Sequence, residues 1–352
     1  MYTSIDIFQH HRERMNPMKA VVFEGQSHIP GLPYTELISR WEPLKKIQQV
    51  EEVQIIDSSQ HPGKTQRDLI GDADIAMGLW ITDHYFDEDF LQSHPNLKYA
   101  STSSHGFGRI DNELTQRHGL TITNTIYGDV TISQYAMALL LEICTHISRH
   151  SDYVKFEYLN DLSPEKSYER LFFPPLELYG KTMGIVGLGN IGYWTAKMAE
   201  GFGMKVIAYD PFVHTGEKYA FIEQVSFDEL LSRSDVISLH CPYTEQNRDL
   251  INEQSIAKMK DGVILINTAR GGLVDEQALY QALMSRKIYA AGLDVLKEEP
   301  PVRRIPLMDC PYCIITGHIA WLTKEARLRA IDLQIQNLQN YLEGHPTSVI
   351  NR

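Results

Sequence analysis

Short apolar runs alternate with longer polar or amphipathic stretches along most of the chain. In the first third, strand-like runs fall at Lys19–Glu24, Val53–Asp57, Ile75–Ile81, Lys98–Ser101 and Leu120–Asn124. From Val130 to Arg149 the period changes. Ile132, Tyr135, Ala136, Leu139, Leu140 and Ile143 recur at helical spacing and predict one long helix. Residues 151–180 carry Pro164, Pro174 and Pro175 and read as an irregular connector. A second series of strands follows at Met183–Val186, Lys205–Ala208, Val236–His240, Val263–Asn267, Ala290–Val295 and Cys313–Thr316. A helix from Thr323 to Leu342 closes the pattern, with Gly344 and Pro346 as its stop signals. Strands alternating with helical segments predict parallel sheets covered on both faces, hence an α/β fold. No repeat of solenoid period is visible.

Composition narrows the function. The 352 residues hold 45 Asp and Glu against 33 Lys and Arg, a net charge of -12. That length predicts about two domains. The acidic balance argues against nucleic acid and against an anionic membrane surface as partners, since both need clustered cations. No apolar run reaches the roughly 18–20 residues of a membrane span. Residues 1–17 are polar, and Met18 leads directly into a strand. They are expected to be an extension outside the fold or upstream of the natural start. Four cysteines are too few for a disulfide framework and fit a cytoplasmic protein. The 14 histidines show no metal-ligand spacing, so no metal is expected.

The segment KTMGIVGLGNIG places Gly187, Gly189 and Gly192 as G-x-G-x-x-G between a strand and a helix running from Ile191. The next strand ends in Asp210, 18 residues past Gly192. This is the βαβ unit of a dinucleotide site. Gly187 permits the tight turn, and Gly189 lets the backbone approach a pyrophosphate. Gly192 lets the helix pack on its strand, and the helix N-terminus faces the phosphates. Asp210 suits a ribose 2′-hydroxyl and repels a 2′-phosphate, which favours NAD over NADP.

Three later strand ends carry the candidate chemistry. Arg270 follows Val263–Asn267 and can hold a carboxylate bidentately, or pair with Asp275. The segment AGLDVLKEEP supplies Asp294 and Glu299. TGHIAW supplies His318, the side chain suited to proton transfer near neutrality. Singly, each residue has a structural reading. Together, on neighbouring strand ends beside a nicotinamide site, they describe a hydride-transfer pocket.

From the fingerprint through LHCPYTEQNRDLIN, INTARGGLVDEQAL, AGLDVLKEEP and TGHIAW to NLQNYLEGHPTSVIN, the chain resembles the D-isomer-specific 2-hydroxyacid dehydrogenases. LKYASTSSHGFGRID and LTITNTIYGDVTISQYAMALLL extend the match more loosely, to about residues 18–352. The resemblance implies two Rossmann-like parallel-sheet domains. The NAD-binding domain (125–318) is inserted within a flavodoxin-like substrate domain (18–124 and 319–352), with the active site between them. It implies a homodimer.

It also implies Arg270, Glu299 and His318 as catalytic residues. The implied cofactor contacts are Gly187, Gly189, Asn190, Ile191, Gly192, Asp210, Pro242, Thr268, Ala269 and Asp294. Backbone N–H groups of Ser104, His105 and Gly106, with Arg270, are the implied binders of a substrate carboxylate. Trp321 is expected either to wall a small pocket or to pack at the domain seam. The role this implies for His318 is to protonate the oxygen that receives charge, and for Glu299 to favour the protonated ring.

Several positions depart from the family pattern. Gly317 stands where proline is usual, Ser104 where glycine is common, and Gln134 where glutamate is. The connector lacks a tryptophan often found there. HIAW, LTKEAR and YLEGHP look most like glycerate dehydrogenases, also called hydroxypyruvate reductases. The expected substrates are hydroxypyruvate or glyoxylate and D-glycerate or glycolate. The alternatives are another 2-hydroxy acid (3-phosphoglycerate, lactate or 2-hydroxyisocaproate) and a non-catalytic NADH-sensing corepressor. Arg109 is the only basic residue in the 101–109 loop, which weighs against a phosphorylated substrate. Cys310-Pro-Tyr-Cys313 matches a redox motif but leads into a strand rather than a helix, which argues against thiol chemistry.

Overall fold

The computed structural model describes residues 17–25, 31–157 and 175–352. The chain forms two compact units. One comprises the described residues of Met1–Tyr127 with Leu322–Arg352, and the other is Gly128–Trp321.

The first unit holds β1 (Met18–Phe23), α1 (Tyr34–Arg40), β2 (Val50–Ile56), β3 (Ile75–Leu79), α2 (Glu88–Ser93), β4 (Tyr99–Thr102), α3 (Asn112–Arg117) and β5 (Thr121–Thr123). Its strands form a parallel sheet in the order β2-β1-β3-β4-β5, the flavodoxin-like arrangement. The inner strands β1 and β3 are mostly buried and read as apolar runs, whereas the edge strand β2 exposes several residues. One face packs Leu37, Trp41 and Leu44 against Ile331, Ile335 and Leu338 of the helix Lys324–Leu342. Thr323 caps that helix by accepting the Ala326 N–H at 3.2 Å, and Gly344, at φ 81°, follows its end. In β3, Gly78 has φ 74° and a Cβ there would lie 2.2 Å from the Phe23 carbonyl oxygen. Its N–H donates to Gln334 Oε1 at 2.8 Å, so a fully buried glutamine satisfies the strand's irregularity.

The second unit begins with α4 (Asp129–Thr145) and α5 (Ile147–Asp152). It continues β6 (Thr182–Val186), α6 (Asn190–Gly201), β7 (Lys205–Tyr209), β8 (Ile222–Gln224), α7 (Phe227–Arg233), β9 (Val236–Leu239), α8 (Glu253–Lys258), β10 (Val263–Asn267), α9 (Glu276–Met284), β11 (Ile288–Leu293) and β12 (Cys313–Ile315). The helix Lys324–Leu342 of the first unit is α10. The parallel order is β12-β11-β10-β9-β6-β7-β8. Counted from β6, that is 3-2-1-4-5-6 with one further strand, the doubly wound dinucleotide arrangement.

Three sequence expectations change. The predicted helix over 130–149 breaks at His146, which adopts a left-handed φ of 49° and donates its N–H to Glu142 O. The connector begins helically through 157, and Pro164 and Pro174 lie outside the described residues. The edge strand β8 is absent from the sequence reading, because only Ile222 of its three residues is buried. Among the described residues, no single helix is long and apolar enough to cross a membrane. Nor is any group of three or more His, Cys, Asp or Glu placed to hold a metal.

Candidate active site

The carboxyl ends of the parallel strands collect the predicted residues of the second unit along one sheet edge. Gly187 follows β6, Asp210 follows β7, and His240 to Pro242 follow β9. Thr268 to Arg270 follow β10, Asp294 follows β11, and His318 lies just beyond β12. With strands about 4.8 Å apart, β7 and β11 are separated by roughly 19 Å, room for an extended dinucleotide.

The fingerprint turn is built for close approach. Gly187 has φ 92°, and a Cβ on Gly192 would lie 2.0 Å from the Gly187 carbonyl oxygen. Around Gly189 the Cβ direction is open. Gly189 is the N-cap of α6, and no side chain caps that helix. The first-turn N–H groups of Asn190 and Ile191 therefore have no side-chain cap, the arrangement that receives a phosphate. Asp210 Oδ2 accepts the Leu188 N–H at 2.7 Å, and Oδ1 accepts the Phe212 N–H at 2.9 Å. The acidic residue thus ties the strand end to the glycine turn. Thr268 is buried, and its hydroxyl has no partner among the described residues. An orphaned hydroxyl and an uncapped helix start at the carboxyl ends of the same sheet fit a bound dinucleotide.

Arg270 sits on a turn fixed by Asn267, which sequence reasoning overlooked. Asn267 is buried, accepts the Ala269 N–H at 3.0 Å, and donates to the Arg270 carbonyl at 3.0 Å. The signal was an asparagine at a strand end, a residue that hydrogen-bonds backbone two residues on. Arg270 does not pair with Asp275, because Asp275 caps α9 through the N–H groups of Gln277 and Ala278. Although the Arg270 side chain reaches solvent, surrounding protein desolvates its guanidinium and lowers its pKa. The Glu299 charge opposes that shift. Arginine remains a cation in any case.

Glu299 and His318 meet directly, with Oε2 2.7 Å from Nδ1. Glu299 Oε1 accepts the Leu296 N–H at 2.7 Å. Burial alone raises the carboxyl pKa, but the His318 and Leu296 hydrogen bonds and the charges of His318 and Arg270 outweigh it. The carboxylate is held below its usual range. His318 has a left-handed φ of 56°, which costs a non-glycine residue about 1–2 kcal/mol.

Asp294 holds that turn. Its carbonyl accepts the His318 N–H at 2.8 Å, and its carboxylate accepts Thr316 Oγ1 at 2.6 Å, Ile319 N at 3.0 Å and Ala320 N at 2.8 Å. Asp294 is fully buried. Its carboxylate thus serves three internal donors, out of about four acceptor positions that an ionised carboxylate offers. Trp321 Nε1 donates to the His318 carbonyl at 2.9 Å, so its indole packs along the same turn.

In the first unit, the loop after β4 carries Ser104, His105 and Gly106. The Ser104 N–H donates to Thr102 Oγ1 at 3.2 Å, and its hydroxyl reaches the Gly106 carbonyl at 2.5 Å. Ser104 shapes the loop, because its own polar groups are turned inward. Asn124 Nδ2 anchors the His105 carbonyl at 2.9 Å. The Cys310–Cys313 pair leads into β12, and burial pushes the Cys313 thiol up to about 12. That thiol is therefore a poor nucleophile.

The sequence model described as "D-isomer specific 2-hydroxyacid dehydrogenase, NAD binding domain" matches residues 137–320. The chain is 40% identical over 284 residues to a hydroxypyruvate reductase of Blautia hydrogenotrophica, covering 80% of this chain and 86% of that one. It is 42% identical over 244 residues to a hydroxypyruvate reductase of Thermotoga maritima, covering 68% and 76%. Among solved structures, a D-2-hydroxyisocaproate dehydrogenase superposes with a TM-score of 0.77 at 25% identity, covering 95% of this chain and all of the other.

Proposed function

The chain belongs to the D-isomer-specific 2-hydroxyacid dehydrogenases, and on that premise we propose that it interconverts hydroxypyruvate or glyoxylate with D-glycerate or glycolate, using NADH. The observation that carries the reading is the 2.7 Å contact of Glu299 with His318 on the sheet edge that also presents Arg270 and the glycine turn. The similarity to two hydroxypyruvate reductases supports the substrate. Asp210, at the end of β7, supports NADH over NADPH.

In this reading the Gly128–Trp321 unit binds the cofactor. Its binding residues are Gly187, Gly189, Asn190, Ile191 and Gly192 at the phosphates, Asp210 at the ribose, and Pro242, Thr268 and Ala269 at the adjoining strand ends. When bound, reduced nicotinamide supplies the hydride for the substrate's carbonyl carbon. Arg270 holds the substrate carboxylate and polarises the keto oxygen, stabilising the charge that develops there. His318 gives its proton to that oxygen. Glu299 accepts from the far ring nitrogen, fixes the ring's orientation and stabilises its protonated form. Asp294 positions His318 through the backbone. Backbone N–H groups of His105 and Gly106 are the substrate-binding donors of the first unit. The indole of Trp321, beside His318, limits substrate size. The four free cysteines support a cytoplasmic enzyme. Exposed Ile147, Val154 and Phe156 on the Gly128–Trp321 unit support a homodimer.

The test is NADH consumption against hydroxypyruvate, glyoxylate, pyruvate, 2-oxoisocaproate and 3-phosphohydroxypyruvate. Fastest turnover of hydroxypyruvate or glyoxylate is expected. Preference for a bulky or phosphorylated oxo acid overturns the substrate. Tight NADH binding with no turnover of any of them overturns catalysis in favour of a sensor.

A further inference from the structure

To cover the first sheet, α10 needs only apolar side chains, and Ile331, Ile335 and Leu338 supply them. Yet it also buries two amides on one face. Gln334 is fully buried and Asn337 is 5% exposed, one helical turn apart. A buried amide costs free energy unless it is hydrogen-bonded. Both are bonded at each end. Gln334 Oε1 accepts the Gly78 N–H at 2.8 Å, which leaves its NH2 for Ser103 Oγ at 3.0 Å. Asn337 Oδ1 accepts the Thr347 hydroxyl at 3.0 Å, and its NH2 donates to the Asn124 carbonyl at 2.9 Å. Asn124, itself buried, passes the contact on: its Nδ2 donates to the His105 carbonyl at 2.9 Å. A carbonyl oxygen only accepts, so each asparagine must face its partner with the NH2. The Thr125 N–H points at the neighbouring Ser104 carbonyl, 3.4 Å away. A relay of amides thus runs from α10 to the loop after β4, and Gln334 braces Ser103 at the start of that loop.

We infer that Asn337 and Asn124 are positioning residues through which α10 sets the affinity for the substrate carboxylate. This rests on the reading of the His105 and Gly106 N–H groups as carboxylate donors. In a planar trans peptide the carbonyl and the following N–H point opposite ways. Holding the Ser104 and His105 carbonyls toward residues 124 and 125 therefore turns the His105 and Gly106 N–H groups away from that segment. Released from Asn124, the His105–Gly106 peptide is free to rotate and withdraw a donor. Losing one hydrogen bond to a charged group weakens binding roughly 10–100-fold. The carboxylate is present in substrate and transition state alike, so the loss falls on KM and spares kcat. The proposed cofactor residues all belong to the Gly128–Trp321 unit, so NADH affinity is spared as well.

The test compares the wild type with Asn124→Leu, Asn337→Leu, the double variant and Gly106→Pro. It measures steady-state reduction of hydroxypyruvate, NADH Kd by fluorescence titration, and calorimetric binding of oxalate to the NADH-loaded protein, which needs no turnover. Expected in Asn124→Leu is a rise of roughly tenfold or more in substrate KM and oxalate Kd, with kcat and NADH Kd within about twofold. Expected in Asn337→Leu, one contact further from the loop, is a rise of about three- to fivefold. The double variant should match Asn124→Leu, because the two residues act in series. A folded Asn124→Leu protein with wild-type KM and oxalate Kd overturns the inference. So does a double variant whose rise is the product of the single rises. NADH affinity falling in step with the rise in KM overturns it too, since that marks a general loss of structure. Should the leucine variant not fold, Asn124→Ser, with its shorter side chain, gives the same readings. Gly106→Pro removes one donor outright, and wild-type values there overturn the carboxylate-loop reading itself. Raised values in Gly106→Pro beside wild-type values in Asn124→Leu or Asn124→Ser overturn only the positioning inference.

Discussion

Replacing Glu299 with glutamine tests the chemistry at its narrowest point. The carboxylate accepts two hydrogen bonds, one from Leu296 N–H at 2.7 Å and one from His318 Nδ1 at 2.7 Å. A glutamine of the same shape has only one acceptor oxygen. Whichever way its amide turns, an NH2 group faces either the Leu296 N–H or the imidazole N–H. The protonated ring also loses its counter-charge. A hydrogen bond to a charged group contributes about 1.5–3 kcal/mol. With 36% and 32% of the two side chains exposed, solvent screening favours the lower part of that range. A loss of about 1.5–2 kcal/mol lowers the reduction rate roughly 10–30-fold near neutrality.

The sign with pH follows from the proton's route. Reduction consumes the proton that His318 carries, so acid favours reduction and alkali opposes it. Oxidation of the hydroxy acid needs the neutral ring and moves the opposite way. Because the Glu299 carboxylate is held below its usual range, its own protonation does not limit reduction until well into acid. Rapid-mixing measurement of kcat for both directions across pH is the assay. A variant with more than half the wild-type reduction rate refutes the assigned role.

Other consequences are equally concrete. Asp294→Asn leaves at least one of the buried donors among Thr316, Ile319 and Ala320 without an acceptor, at about 1–3 kcal/mol. Its urea midpoint and kcat should both fall; an unchanged midpoint contradicts the packing argument. Gly192→Ala puts a methyl 2.0 Å from the Gly187 oxygen, so NADH affinity should weaken more than tenfold in fluorescence titration. Retention of wild-type affinity shows that the turn yields more easily than its geometry implies. Burial pushes the Cys144 and Cys241 thiols to about 11 and that of Cys313 to about 12, so iodoacetamide near pH 8 should leave the native enzyme's activity intact. Rapid inactivation, with the label mapped to one of these thiols, contradicts that.

What the sequence revealed, and what it hid, follows from the range of the interactions involved. Gly187, Gly192 and Asp210 are legible because their roles depend on spacing within one βαβ unit. Arg270, Glu299 and His318 are legible as strand-end residues, although only the fold puts the carboxylate on the imidazole. Asp294 is visible as a residue but not as the anchor of a strained turn, since its three donors lie 22 to 26 positions ahead. The inward hydrogen bonds of Ser104 are local, yet a serine in a loop carries no sign of which way it points. The break at His146 escapes periodicity because one left-handed residue leaves the apolar pattern on either side unchanged. β8 escapes because three residues with one buried side chain carry no period at all.

The route of the chain through the first unit also governs how the protein is made. Gln334 completes the hydrogen bonding of β3, α10 covers Leu37 and Trp41, and Asn351 supplies an acceptor to the Ile122 N–H at 3.0 Å. All three closures come from residues beyond 321, after the whole of Gly128–Trp321 has been synthesised. At about 5–20 residues per second, the ribosome needs roughly 10–40 s to deliver them. During that interval the apolar face of the nascent first sheet waits for its cover, and by its end the inserted unit has every strand of its own. The dinucleotide-binding half can therefore finish folding first, and the nascent chain's main exposure to aggregation and to chaperones lies in the half that began emerging before it.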